Sequence, residues 1–218
     1  MSVITIERNI LAKNDELAAL NRARIAEHDI TCINILSSPG AGKTSLLEQM
    51  IARLHPRVPL AVIEGDVQTD LDAQRIARYN VPAVQIVTRG GCHLDAALVQ
   101  SALDRLDLKA IHLLIIENVG NLVCPANYDL GEKLKIVVAS TTEGDDKPLK
   151  YPGVFLNSAV LIINKIDLLP HLPCDIRVLE SNARAVNPAL RIFRTSCTTG
   201  EGIDGWCNWL EAEMRGTV

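Results

Sequence analysis

Short unbroken apolar runs alternate along this chain with segments in which apolar residues return every third or fourth position. The first pattern predicts strands buried on both faces, and the second predicts amphipathic helices. Strands are expected at 31–36, 59–64, 83–87, 111–117, 135–140, 159–163 and 191–195. Between them, Leu46, Leu47, Met50, Ile51 and Leu54 recur at helical spacing, and that helix should stop before Pro56. Residues 71–79 also read as helical. Leu94, Leu98, Ala102 and Leu106 form the expected core stripe of a further helix, and residues 202–214 make the last one. Residues 1–14 carry little pattern, whereas Leu17, Leu20 and Ile25 among charged neighbours predict a helical lead-in within 1–30. Residues 141–152 read as a polar loop. Strands alternating with helices in this way predict a doubly wound, mostly parallel α/β sheet covered on both faces, with one domain across 1–218.

Ligands of such sheets collect at the carboxyl ends of the strands. The polar segments of this chain fall at those ends: 37–44, Asp66, 89–93, 117–120, 140–150, 164–167 and 196–200. The first is the most telling. A strand runs into Ser37-Ser-Pro-Gly-Ala-Gly-Lys-Thr44 and then into a helix, the order of a phosphate-binding loop. Pro39, Gly40, Ala41, Gly42, Lys43, Thr44 and Ser45 are the expected phosphate contacts, with backbone N–H groups facing the anion at the positive end of the helix. Lys43 would reach the terminal phosphates, and the Thr44 hydroxyl would ligate Mg2+. The pattern G-x-x-x-x-G-K-[ST] is broken at its first position, where this chain has Ser37.

Asp66 and Glu117 are the expected acidic partners of Mg2+, with Asp66 the better placed and Asp70 and Asp72 behind it. Glu117-x-x-Gly120 stands where nucleotide hydrolases often carry Asp-x-x-Gly, and Gly120 could sense a γ-phosphate through its backbone. Asn164-Lys165-Ile166-Asp167 points to guanine, because a fixed carboxylate can accept both N1–H and the exocyclic amine, which adenine does not offer there. Lys165 would lie along the purine, Asn164 would tie the base loop to the phosphate loop, and Ser196 and Cys197 would add contacts to the base.

A third cluster changes the picture. Cys92-His93 and Cys124-Pro125 lie in loops on the same edge, and thiolate with imidazole suits Zn2+ or Ni2+. Three ligands are one short of a closed tetrahedral site, which leaves room for water, a further side chain or a second copy across a two-fold axis. Cys32, Cys174 and Cys207 lack a histidine neighbour and read as packing residues, as does Cys197 in its thiol. Composition then excludes several classes. A net charge of −4 without a Lys/Arg block argues against nucleic acid and anionic membranes. No apolar run reaches bilayer length, and no basic, apolar leader opens the chain. Six scattered cysteines in a chain of ordinary core composition suggest a reducing cytoplasm rather than a disulfide scaffold.

Taken in order, Ser37-Ser-Pro-Gly-Ala-Gly-Lys-Thr44, Val62-Ile-Glu-Gly-Asp66, Gly91-Cys-His-Leu94, Glu117-Asn-Val-Gly-Asn-Leu-Val-Cys-Pro125, Glu143-Gly-Asp-Asp-Lys-Pro-Leu-Lys-Tyr-Pro152 and Asn164-Lys-Ile-Asp167 resemble the HypB family of hydrogenase nickel-incorporation GTPases. The resemblance runs from about residue 14 to the C-terminus. It implies the signal-recognition-particle-like (SIMIBI) branch of P-loop GTPases, slow GTP hydrolysis, homodimerisation and nickel delivery to [NiFe]-hydrogenase. It also implies that Cys92, His93 and Cys124 bind the transferred metal, with the adaptor HypA and the hydrogenase large subunit as partners. The Cys-x-x-Cys-Gly-Cys motif and the His-rich tract that begin some members are absent, so nickel storage of that kind is not expected. Two other readings stand beside it: a urease-type nickel-insertion GTPase, whose Cys-Pro-His motif this chain splits, and a metal-binding scaffold with a vestigial nucleotide site. Lys147 and Lys150 could contact nucleotide across a dimer, although solvated loop charge is the simpler reading.

Overall fold

The computed structural model describes residues 2–67 and 71–216, and the side chains of 11–67 and 74–216 within them. Asp70 and the side chain of Asp72 lie outside that set. Seven strands form one sheet: β1 (Thr31–Ser37), β2 (Leu60–Asp66), β3 (Ala83–Val87), β4 (Leu113–Glu117), β5 (Leu134–Ser140), β6 (Val160–Asn164) and β7 (Arg191–Arg194). Their order is β3-β2-β4-β1-β5-β6-β7, and every neighbouring pair is parallel. The sequence reading of a mostly parallel sheet is thus sharpened to an all-parallel one. After β1 the chain builds outward on one side as far as β3, returns as β4, and then continues on the other side as β5 to β7. The carboxyl end of β1 is therefore a switch point between β4 and β5, where such sheets hold ligands.

The helices are α1 (Ser2–Ala26), α2 (Lys43–Leu54), α3 (Leu71–Ala77), α4 (Ala96–Leu103), two short turns α5 (Lys147–Lys150) and α6 (Pro152–Leu156), α7 (Ile176–Val186) and α8 (Ile203–Met214). Side chains of a strand alternate between the faces of its sheet. Accordingly Ile33 and Ile35 of β1 join a core with Leu46, Met50 and Leu54 of α2 and Trp206 and Leu210 of α8. Cys32 packs on the opposite face with Ile25, Leu94, Val99 and Leu103, and Leu36 packs there with Phe155, Leu161 and Leu179. Between Cys32 and Leu36 on that face stands Asn34, wholly buried in the central strand. Its amide starts a polar seam between the two apolar clusters, donating to Glu132 Oε1 at 3.1 Å. Burial pushes the Glu132 carboxyl up, opposed by nearby Lys135.

Three sequence expectations need correction. The buried face of α1 is Asn14, Ala18, Asn21 and Ile25, whereas Leu20 is 59% exposed. The two asparagines win that face because they satisfy backbone groups: Asn14 bonds Asp129 O and Ala96 N, and Asn21 bonds Ala96 O and Leu130 O. In α4, Ala96, Val99, Ala102 and Leu103 face the core, and Leu98 and Leu106 only pack against it. The helix starts later than its apolar pattern suggests, because Asp95 caps it by accepting from Leu98 N at 2.8 Å. Finally, 141–152 is not an open loop but a capped turn at Thr141–Glu143 followed by α5.

Candidate functional site

The carboxyl ends of β1, β2 and β4 surround a cavity of about 700 Å3, lined by the 39–45 loop, Glu64, Asp66, Arg75, Glu117, Asn118, Gly120 and Lys165. The loop between β1 and α2 leaves the strand at Ser37 and enters the helix at Lys43. Gly42 is the residue that makes this bend: its φ of +99° is left-handed, and a Cβ there would lie 2.5 Å from Asn164 Nδ2. The Asn164 amide uses that gap to donate to Ala41 O at 3.1 Å, and Lys165 Nζ reaches Gly40 O at 2.7 Å. The base-loop residues singled out in the sequence are therefore bound to the phosphate loop directly. Lys165 itself has φ +62° and is held by Thr141 Oγ1, which donates to its carbonyl at 2.7 Å.

Lys43 and Ser37 meet. The ammonium donates to Ser37 Oγ at 3.1 Å, so the residue that broke the loop pattern is a buried hydroxyl that holds the lysine. Thr44 Oγ1 donates to Glu117 Oε1 at 2.7 Å. Glu117, one methylene longer than the aspartate more usual there, thus meets the threonine directly, while Asp66, ranked ahead of it from sequence, lines the same cavity from β2. Sequence reading missed Glu64. It is buried, lines the cavity, and pairs in register with Glu117 across β2 and β4, so three carboxylates and a hydroxyl face one space. That all-oxygen donor set fits a hard cation such as Mg2+. The signal for Glu64 was a carboxylate closing the otherwise unbroken apolar run of β2, in Val62-Ile-Glu-Gly-Asp66.

Asp167 sits in the turn after β6, and its Oδ1 is shielded from solvent without a hydrogen-bond partner among the described residues. A buried acceptor in that condition is costly unless a ligand supplies the donor. Thr195 and Cys197 both donate to Asn164 Oδ1, at 3.3 and 3.4 Å, so Cys197 orients the base loop with its thiol. Ser196 is buried and its Oγ accepts from Thr199 N at 3.1 Å, which shapes the turn. Gly120 lies against the backbone of Pro39, tying the end of β4 to the phosphate loop.

A second constellation adjoins the first. The ligand atoms of Cys92, His93 and Cys124 lie within 4.8 Å of one another, with Cys92 Sγ 3.5 Å from His93 Nδ1. The first two come from the turn after β3 and the third from the 3-10 turn Cys124–Asn127 after β4. The His93 ring packs against Tyr128 at a tilt of 41°, with centroids 4.0 Å apart. Burial lowers its pKa, favouring the neutral imidazole that a metal needs. The Cys92 thiol is held up by its hydrogen bond with Cys124 and by burial, so a soft cation would have to displace protons on binding. All six cysteines are unbridged thiols. Cys32 and Cys207 are packed inside, and burial pushes the Cys207 thiol up to about 12.

Lys147 is not a solvated loop charge. Its ammonium lies 3.1 Å from Glu143 and 5.1 Å over the Tyr151 ring, while Glu143 is also bonded to Ser38 in the phosphate loop. Lys150 does match that reading, paired with Asp146 at the surface.

Fold and cavity together define a P-loop nucleotide-binding protein of the doubly wound α/β class, with a thiol and imidazole cluster beside the nucleotide pocket. Residues 31–194 match the model of the "CobW/HypB/UreG, nucleotide-binding domain" family. The hydrogenase maturation factor HypB of Azotobacter vinelandii is 54% identical over 99% of this chain and 71% of its own length. A probable hydrogenase maturation factor HypB from Methanocaldococcus jannaschii is 40% identical over 99% of this chain and 97% of its own. Among solved structures, HypB from Helicobacter pylori in complex with nickel superposes with a TM-score of 0.89 at 37% identity, covering 94% of this chain and 96% of that one. The chain belongs to the HypB family of hydrogenase maturation factors.

Proposed function

We propose that this protein is a GTP-hydrolysing nickel metallochaperone in which the nucleotide state of the P-loop pocket controls a transferred metal held by Cys92, His93 and Cys124. The single observation that carries this reading is the closeness of those ligand atoms, within 4.8 Å, on loops that leave β3 and β4 beside the nucleotide pocket. The nickel complex of the H. pylori relative supports nickel as cargo, and thiol with imidazole would also accept zinc.

GTP is the substrate. Backbone N–H groups of 40–45 would cradle its phosphates, with Lys43 moving from Ser37 to the terminal ones. Asn164, Lys165 and Asp167 would fix the base, and the shielded Asp167 Oδ1 supports guanine. Thr44, Asp66 and Glu117, with Glu64 near them, would hold Mg2+, which when bound neutralises developing phosphate charge. Gly120 is followed by Asn121 and Leu122 rather than a water-orienting glutamine, so intrinsic turnover should be slow. Residues 1–218 are read as one GTPase domain that dimerises, works in the cytoplasm, and exchanges nickel with the adaptor HypA and the hydrogenase large subunit. No helix among the described residues is long and apolar enough to cross a membrane.

The test is Mg2+-dependent GTP hydrolysis by wild type and Lys43→Ala. Loss of phosphate release in the variant, by about a hundredfold or more, is expected for an electrostatic contact to the reacting phosphate. Equal rates would mean a vestigial pocket and a scaffold rather than a GTPase.

A further inference from the structure

We propose that Asn118 is the positioning residue that couples the nucleotide pocket to the metal cluster; the inference rests on the nucleotide-controlled reading above and names the route it takes. Asn118 follows Glu117 at the end of β4, lines the pocket, and is buried. Its Oδ1 accepts two backbone N–H groups. One is from Leu94 at 3.1 Å, the residue after His93. The other is from Val119 at 2.9 Å, in the loop that leads to Cys124. One oxygen therefore fixes both arms of the cluster, the arm with Cys92 and His93 and the arm with Cys124.

The amide has little freedom to turn, because its Nδ2 donates to Asn34 Oδ1 at 3.3 Å inside the central strand, and Asn34 is held in turn by Glu132. Leu94 is gripped a second time from the pocket. Its side chain lies over Gly65, between Glu64 and Asp66, where a Cβ would come within 2.8 Å of Leu94 Cδ1. Both strand ends that would meet Mg2+ and the terminal phosphate thus touch the residue beside His93. Downstream, the segment is anchored by the Asp95 cap of α4 and by Asn14, which accepts from Ala96 N. A shift of the β4 end would consequently appear at Cys92 and His93, which precede the fixed part, and at Cys124.

A coupling of this kind must act in both directions with the same factor. The experiment measures nickel affinity by chelator competition for the full chain saturated with Mg2+ and either GDP or a non-hydrolysable GTP analogue, in wild type, Asn118→Ala and Asn118→Asp. Wild type is expected to show a ratio of the two affinities of about fivefold or more, the range of ordinary allosteric coupling. In Asn118→Ala the ratio should fall to near one while nickel still binds. In Asn118→Asp, which keeps the accepting oxygen but loses the Nδ2 donor to Asn34, part of the ratio should return, and nucleotide affinities with and without nickel should change by the same factors. If Asn118→Ala does not fold, Asn118→Ser carries the same expectation, since its hydroxyl serves Val119 but is too short for Leu94. A wild-type ratio that persists in Asn118→Ala or Asn118→Ser overturns the assignment of Asn118 alone. A ratio of one in wild type overturns the nucleotide-controlled metal switch and this route with it.

Discussion

Asp167 carries the sharpest consequence of a single side chain. Its Oδ1 is shielded, and the turn after β6 thus holds an acceptor for which the described residues supply no donor. Hydrogen bonds to a charged group contribute about 1.5–3 kcal/mol each, and removing the charge while converting one acceptor into a donor should cost about 3 kcal/mol of guanine binding, roughly a hundredfold. Asp167→Asn is therefore expected to lose its preference for GDP over ADP in competition binding. A wild type in which ADP competes as well as GDP would refute the base assignment. At this scale the sequence names candidates where a motif narrows a residue's chemistry: the thiols of Cys92 and Cys124 beside His93 and Pro125, the lysine of the phosphate loop, the carboxylate of Asp167. It was not legible where a residue acts through a partner far along the chain. Ser37 breaks the loop pattern in the sequence yet holds Lys43 with its hydroxyl, and Asn118, an unassigned position of Glu117-x-x-Gly120, accepts from Leu94 N across the fold.

Among the elements, α7 is joined to the edge strand β7 by a charge pair rather than by packing alone. Glu180 accepts from Arg194 Nε at 2.6 Å and lies 3.4 Å from Arg184 one turn on. The Arg194 hydrogen bond, opposed by burial, holds the Glu180 carboxyl below its ordinary value of 4.5. A depressed carboxylate pKa adds stability above the unfolded value, and that stability is lost as pH falls through the folded value. Glu180→Gln should therefore lower the melting temperature at pH 7 and converge with wild type in acid below pH 4.5. A difference that stays constant down to pH 3 would place the effect in packing instead. Element existence was legible from apolar spacing, because short unbroken apolar runs and periods of three to four residues separate buried strands from amphipathic helices. Which face an element buries was less so. In α1 the asparagines displaced Leu20 since unpaired backbone groups at Ala96, Asp129 and Leu130 outweigh one leucine's burial.

For the whole molecule, both tryptophans lie on α8, stacked 5.6 Å apart and against Phe193 of β7, with Trp206 in the core under the sheet. Their emission consequently reports the docking of the last helix onto the sheet. If the chain unfolds as one cooperative unit, the midpoint seen by tryptophan fluorescence in urea should coincide with that seen by far-ultraviolet circular dichroism. Separate midpoints would show that α8 leaves the sheet before the rest. The same cooperativity bears on the proposed function, since a sheet that moves as one body can carry a change at the end of β4 to both arms of the thiol and imidazole cluster.

By itself the sequence determined the alternation of strands and helices, the phosphate-loop pattern, the candidate base motif and the two pieces of a candidate metal site, because each rests on residues that are neighbours in the chain or repeat at a fixed period. Only the tertiary structure decided that Cys124 meets Cys92 and His93, that Glu64 joins Glu117 in the pocket, and that Asn118 stands between pocket and cluster. Those contacts depend on strand order, which places β4 between β2 and β1, and on the parallel register that brings distant carboxyl ends to one edge. No local pattern contains that information, because the energy that fixes it is the burial of both sheet faces at once.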